Sequence, residues 1–269
     1  MGSSADGLFD RYGSGVRWKQ VADDTFVIRG TDVNMVLLRE GSALTLIDAG
    51  WLGDAGVIEQ AVRELGHRPE DIVAVLLTHA HLDHVGALNH LHRRYGIPAY
   101  TSAVEVRHAR GECHESATPL DVIKRLTDRS TIAWAARITA AGGLRKNTVA
   151  HIQPFPTAGA LDFPGNPIPI ACPGHTSGHS AFQLPAAGAV ATGDSLVTAH
   201  PTSRIQGPQL LPSFFHHSVP DTLAALAALE SVPADLVLPG HGLLFTGGVA
   251  EAVARARATA VRSGTANSE

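Results

Sequence analysis

Thr78-His79-Ala80-His81-Leu82-Asp83-His84 directly follows residues 72–77, an apolar run with no polar alternation. A run of that kind reads as a strand buried on both faces, so the heptapeptide stands where the strand ends. In extended chain, residues i, i+2 and i+4 point the same way. His79, His81 and Asp83 are therefore expected to converge on one side, with His84 where the chain turns into a helix expected over 85–95. Imidazoles together with a carboxylate suit zinc or a similar divalent ion. Asp83 alone could be a helix N-cap, but four such residues in six positions read better as a metal site.

Working outward, strands are expected over 25–29, 34–39 and 44–48, the last ending in Asp48. Asp54 is placed to cap a helix whose apolar face is Val57, Ile58, Ala61, Val62 and Leu65, and Gly66 ends it. A short strand over 99–101 precedes a different stretch. Residues 103–145 show helical patterns (103–110, 120–127, 132–141) and no strand signal, which predicts a helical insertion over one edge of the fold. Strand signals return over 168–171, 181–184, 189–192 and 236–238, with helices over 221–230 and 249–262. The tail, 263–269, is expected to be disordered.

Three of these later strands lead into chemistry-bearing turns, namely Cys172-Pro173-Gly174-His175-Thr176-Ser177-Gly178-His179, Thr192-Gly193-Asp194 and Pro239-Gly240-His241-Gly242. Strand ends are where α/β sheets build their sites. Each half of the chain thus runs through strands to a loop rich in His and Asp and then a helix. Two such α/β halves packed sheet to sheet, with helices outside, would make residues 1–269 a single domain.

Composition narrows the partners. Hydrophobic residues make up 44% and charged residues 17%, enough to fill a sizeable core. The formal net charge is −4, which argues against a nucleic-acid partner and favours a small soluble substrate. No stretch approaches the roughly 20 apolar residues a membrane span needs, and residues 1–19 contain no apolar run of signal-peptide length. Two cysteines, Cys113 and Cys172, cannot build a disulfide framework, so a reducing, cytoplasmic setting is expected. A homo-oligomer stays open. The 15 histidines are the one oddity.

In this order of motifs (Asp48-Ala49-Gly50, His79 to His84, His175, Asp194, His241) the chain resembles the metallo-β-lactamase-fold hydrolases over nearly its whole length. The likeness is to the glyoxalase II and lactonase type rather than to true β-lactamases. It implies a four-layer αββα sandwich and two divalent ions, zinc first, with iron or manganese as alternatives. His79, His81 and His175 would hold the first ion; Asp83, His84 and His241 would hold the second; Asp194 would bridge them. Asp48 would orient ligand histidines from behind. A hydroxide shared by two ions about 3.5–4 Å apart would then attack an acyl carbon. Asp83 would also relay a proton to the leaving group.

The departures from relatives bear on substrate. Acyl-homoserine lactonases carry a Tyr three residues after the bridging Asp, where this chain has Val197. Glyoxalase II enzymes have a Gly-Cys-Gly stretch that residues 195–209 lack. What remains is hydrolysis of an ester, thioester or lactone of a small acyl compound. The long connection 195–217 should border the site, and Leu210–Phe215 hints at a partly hydrophobic acyl group. His179 reads as a hydrogen-bonding support; Arg204, His216 and His217 have no assigned role. The rival readings are an iron-dependent oxidoreductase of the sulfur dioxygenase type on the same scaffold, and a non-catalytic, metal-stabilised binding protein.

Overall fold

The structure, a computed structural model, describes residues 17–262 except 116, 119, 121–122 and 125–128. Seven strands form the first sheet: β1 (Trp18–Ala22), β2 (Thr25–Arg29), β3 (Asn34–Glu40), β4 (Ala43–Ile47), β5 (Ile72–Leu76), β6 (Ala99–Thr101) and β7 (Gln153–Pro154), in that spatial order. The first four pair antiparallel, and β4 through β7 pair parallel. The second sheet holds β8 (Ile168–Ala171), β9 (Ser180–Leu184), β10 (Ala189–Gly193) and β11 (Leu236–Pro239), ordered β11-β10-β9-β8. Its β10–β11 pair is parallel and the others antiparallel.

Alternation along the strands explains the layers, because successive side chains leave a strand on opposite faces. Phe26, Ile28, Met35, Leu37, Leu44 and Leu46 turn outward, where they meet Ile58, Ala61 and Val62 of α1 (Ala55–Glu64) and Leu88 and Leu91 of α3 (Leu88–Tyr95). Val27, Val36, Leu38 and Ile47 turn inward. They pack against Phe182, Leu184, Ala189, Ala191 and Leu238 of the second sheet. On that sheet's far face, Val190 and Val237 meet Leu226 and Leu229 of α6 (Val219–Glu230) and Val253 and Ala256 of α7 (Val249–Arg262). Three apolar layers between four structural ones make the expected αββα sandwich. No described helix is long and apolar enough to cross a membrane.

Several local expectations need correction. Residues 85–95 are not one helix: α2 (Leu82–Val85) and α3 are separated at Gly86-Ala87, where Gly86 packs on the backbone of residues 50–52. Asp54 does not cap α1. Its carboxylate accepts from the backbone of Trp51 and Thr31 and from the Thr31 hydroxyl, closing the turn before the helix. β1 and β7 carry too little alternation to show in the sequence. The insertion over 103–145 is helical as expected where described, with α4 (Glu105–Ala109) and α5 (Arg129–Ala140). The helix expected over 120–127 falls mostly outside the described residues, as do residues 1–16 and the tail 263–269.

Candidate metal centre

The parallel strands deliver their C-terminal ends to one edge of the sandwich, and the predicted ligands meet there. Three groups of potential ligand atoms each lie within 4.8 Å of one another: His79, His81 and His175; His79, His84 and Asp194; and Asp83, His84 and His241. All seven predicted residues are therefore brought together. His175 Nε2 stands 3.1 Å from His79 Nε2 and 2.9 Å from His81 Nδ1. His241 Nε2 stands 3.3 Å from Asp83 Oδ2. The Asp194 carboxylate lies between the halves, with Oδ2 at 3.5 Å from His175 and 3.3 Å from His241, and Oδ1 at 3.5 Å from His84.

The route to this arrangement differs from simple strand alternation. His79 and His81 do face one centre, but the chain becomes helical at Leu82. That turn sends Asp83 and His84 to the other half. The helical register, with adjacent side chains about 100° apart, splits the motif between two centres.

A tautomer is set for each of four rings by what lies behind it. His84 Nδ1 donates to Asp48 Oδ2 at 2.8 Å, and His241 Nδ1 donates to the Asp32 carbonyl at 2.6 Å. The Thr78 hydroxyl donates to Asp48 at 2.8 Å and can accept from His79 Nδ1 at 3.0 Å. His81 Nε2 donates to the Glu115 carbonyl at 3.1 Å. Each ring therefore turns a bare nitrogen lone pair inward. Asp48 holds this role at φ 61°, a left-handed conformation uncommon outside glycine.

Those lone pairs face carboxylates and one another, an arrangement that calls for positive charge. His84 Nε2 and Asp194 Oδ1 are buried and have no hydrogen-bond partner. Burial would lower the His84 pKa, yet Asp48, Asp194 and Asp83 outweigh it and raise it to about 9. His241 rises well above its ordinary value because Asp194 and Asp83 overcome its burial. His79 and His175 are instead driven well down, by burial first and then by neighbouring imidazoles. The pull toward a proton at His84 and His241 is the pull of the same carboxylates on any cation, and with neutral His79 and His175 it makes the donor set of a divalent ion. Tetrahedral zinc at 2.0–2.1 Å from nitrogen would set nitrogen atoms about 3.3 Å apart, close to the spacings found. The residues fit.

His179 supports the centre as expected: its Nε2 accepts from the Asp194 backbone N–H at 3.1 Å. Cys172 is buried, its thiol pushed up to about 12 by that burial, and both cysteines are unbridged. Among the unassigned residues, His216 packs its ring 5.2 Å from that of His175 and bonds the Leu211 carbonyl, whereas His217 and Arg204 are exposed. Leu210 packs into the outer core with Leu226, whereas Phe215 stands beside His200.

Several residues were missed by sequence reasoning, among them Trp134 and Glu115, whose carbonyl holds His81. His200 is buried with its ring 5.1 Å from His241, between Trp134 and Phe215. Glu105, fully buried, joins two ligand loops. Asp32 lends only a carbonyl. No motif announces any of them, although a Glu on the buried face of a short helix is a signal worth reading.

Known proteins share this chain's family and fold. The probable metallo-hydrolase YflN of Bacillus subtilis is 25% identical over 218 residues, covering 77% of this chain and 78% of that protein. The hydroxyacylglutathione hydrolase of Fuscovulum blasticum is 26% identical over 200 residues, or 74% of this chain and 57% of that one. A metallo-β-lactamase of Cronobacter sakazakii with a HARLDQ motif shares the fold at a TM-score of 0.67 and 19% identity, covering 93% of this chain and 95% of its own. The family model of the metallo-beta-lactamase superfamily matches residues 28–241, and the chain belongs to that superfamily.

Proposed function

We propose that the protein is a binuclear metallohydrolase, with zinc as the expected metal, that cleaves an ester, thioester or lactone bond of a small acyl substrate. One observation carries this reading: seven buried or half-buried donors converge in two adjacent sets, and the lone pairs they leave facing one another call for cations. Two ions bound there would supply an activated water and Lewis-acid polarisation of the scissile carbonyl.

The chain's own residues do the rest. Asp48 keeps the His84 ring fixed and, through Thr78, the His79 ring. Asp83 is the most exposed of the centre's carboxylates, at 18% of its side chain, and is assigned the proton relay to the leaving group. Trp134, His200 and Phe215 form an aromatic wall beside His241 that suits an apolar acyl chain. A soluble, cytoplasmic protein without nucleic-acid or membrane partners fits the mild acidity and the unbridged cysteines.

The test is a panel of thioesters, lactones and chromogenic esters assayed with metal content. The expected result is two ions per chain and turnover lost on chelation and in His81→Ala. Turnover that survives both treatments refutes the reading. One redox-active iron with oxygen uptake would move the protein to oxidoreductase chemistry, and tight metal with no turnover would make it a binding module.

A further inference from the structure

The insertion's first arm reaches the three-histidine half of the centre through one side chain. Glu105 opens α4 and is completely inaccessible to solvent. Its Oε1 accepts from the Ala80 N–H at 2.8 Å, the peptide between His79 and His81, and meets His108 Nδ1 at 2.9 Å. Its Oε2 accepts from the Thr176 hydroxyl at 2.8 Å and the Gly178 N–H at 3.1 Å, in the loop that carries His175. The His108 ring in turn packs edge-on against His81, 5.6 Å between centroids. One carboxylate thus grips both loops that present His79, His81 and His175.

The arm grips a second time ten residues later. The Glu115 carbonyl fixes His81, and its carboxylate accepts from the Ser177 N–H and hydroxyl at 2.6 and 2.8 Å. Among the described residues, neither glutamate bonds Asp83, His84 or His241. His84 and His241 are held instead by Asp48 and the Asp32 carbonyl.

We propose that Glu105 is a positioning residue dedicated to the three-histidine half, setting the spacing of the 78–81 and 175–178 loops on which this half would hold its ion. This inference rests on the metal-site reading above. Charge and shape both matter to it. All four partners sit at donor positions, and Ala80 and Gly178 are backbone N–H groups that cannot reverse. An amide in place of the carboxylate would aim its NH₂ at one of them.

Glu105→Gln is therefore expected to weaken the first ion by about 10- to 100-fold, the range found when groups behind metal ligands are altered. The second ion should be nearly unaffected. Thr176→Val is nearly isosteric and deletes a single bond to Glu105; it should give a smaller loss, about 3- to 10-fold, at the same half. It keeps the test valid should Glu105→Gln fail to fold.

The measurement is Co(II) titration of the metal-free protein followed by visible absorption. His175→Ala and His241→Ala mark the spectral signature of each half. Selective loss of the His175-type signature in Glu105→Gln or Thr176→Val, with unchanged urea unfolding of metal-free Thr176→Val, supports the proposal. Equal weakening of both halves, or no change in either variant, overturns it. Failure of the unaltered protein to bind cobalt would instead remove the metal-site reading, and this inference with it.

Discussion

Gly240→Ala separates the chemistry of this centre from its folding. Gly240 lies between β11 and His241, and its N–H donates to the Gly193 carbonyl at 2.9 Å. A Cβ at this position would stand 2.4 Å from Asp194 Oδ1 and 3.1 Å from the Gly193 carbonyl atoms. Ordinary carbon–oxygen contacts lie at about 3.3 Å or more, so the carboxylate must retreat by roughly 0.9 Å. Asp194 can do this by rotating its side chain, and the φ at Gly240 lies outside the left-handed region. The fold should therefore lose little, within about 1.5 kcal/mol for the metal-free protein. A metal ligand tolerates only about 0.2 Å. The bridge between the two halves should fail, lowering metal affinity and turnover together by about 100-fold or more. Metal titration, turnover and urea unfolding of the metal-free variant measure the three quantities. Two ions held at the unaltered affinity with normal turnover would refute the geometry. So would a fold lost before any ion is added.

Gly86→Ala should do the reverse. Its Cβ would meet Trp51 C at 2.1 Å, Leu52 N at 2.3 Å and Gly50 O at 2.4 Å, all backbone atoms that cannot swing away. A destabilisation of about 3 kcal/mol or more is expected, and an unfolding midpoint like that of the unaltered protein would contradict it. Away from the centre, Glu59 is 7% exposed on α1. Burial would raise its pKa, but bonds from His90, Tyr95 and Arg63 outweigh this and lower it from 4.5 to about 2. A depressed carboxylate stabilises the fold fully above its unfolded pKa and loses that contribution as pH falls through the folded one. The loss should run from about pH 5 to pH 2 and reach about 3 kcal/mol at most. Glu59→Gln should flatten that part of the pH dependence; parallel curves for the two proteins in urea unfolding between pH 3 and 6 would show the reasoning wrong.

Much of the centre was legible because its ligands sit beside the strongest patterns in the chain. The apolar run 72–77 ends with only Thr78 before His79, Asp194 directly follows β10, and His241 follows β11 with one glycine between. What escaped had no local signature. Asp54 looked like a helix cap because Asp before an apolar-periodic segment usually is one; its carboxylate instead serves Thr31, 23 residues earlier in the chain. Asp32 contributes through its backbone, which no residue type reveals. Leu210–Phe215 read as one apolar connection, yet Leu210 packs into the outer core whereas Phe215 stands in the wall beside His241. Tertiary packing sorts such neighbours, and periodicity over six residues cannot.

The insertion over 103–145 is more than a cover. Its first arm grips the three-histidine half through Glu105 and Glu115, as argued above. Its second arm, α5, addresses the other half. Arg137 pairs with Asp32 at 2.7 Å, and the Asp32 carbonyl holds His241. Trp134 packs on His200, which packs on His241. The Ala141 carbonyl, just past α5, accepts from Gly53 at 2.9 Å, and Ile138 packs with Trp51 and Leu82 beside the ligand motif. The Arg137–Asp32 pair is half-exposed and worth little by itself; its effect is to fix a carbonyl whose direction sets an imidazole. The sheets bring the ligands to a common edge, and the insertion then constrains each half separately. Variation in the first arm therefore bears on the three-histidine half, and variation in α5 on the half that holds His241.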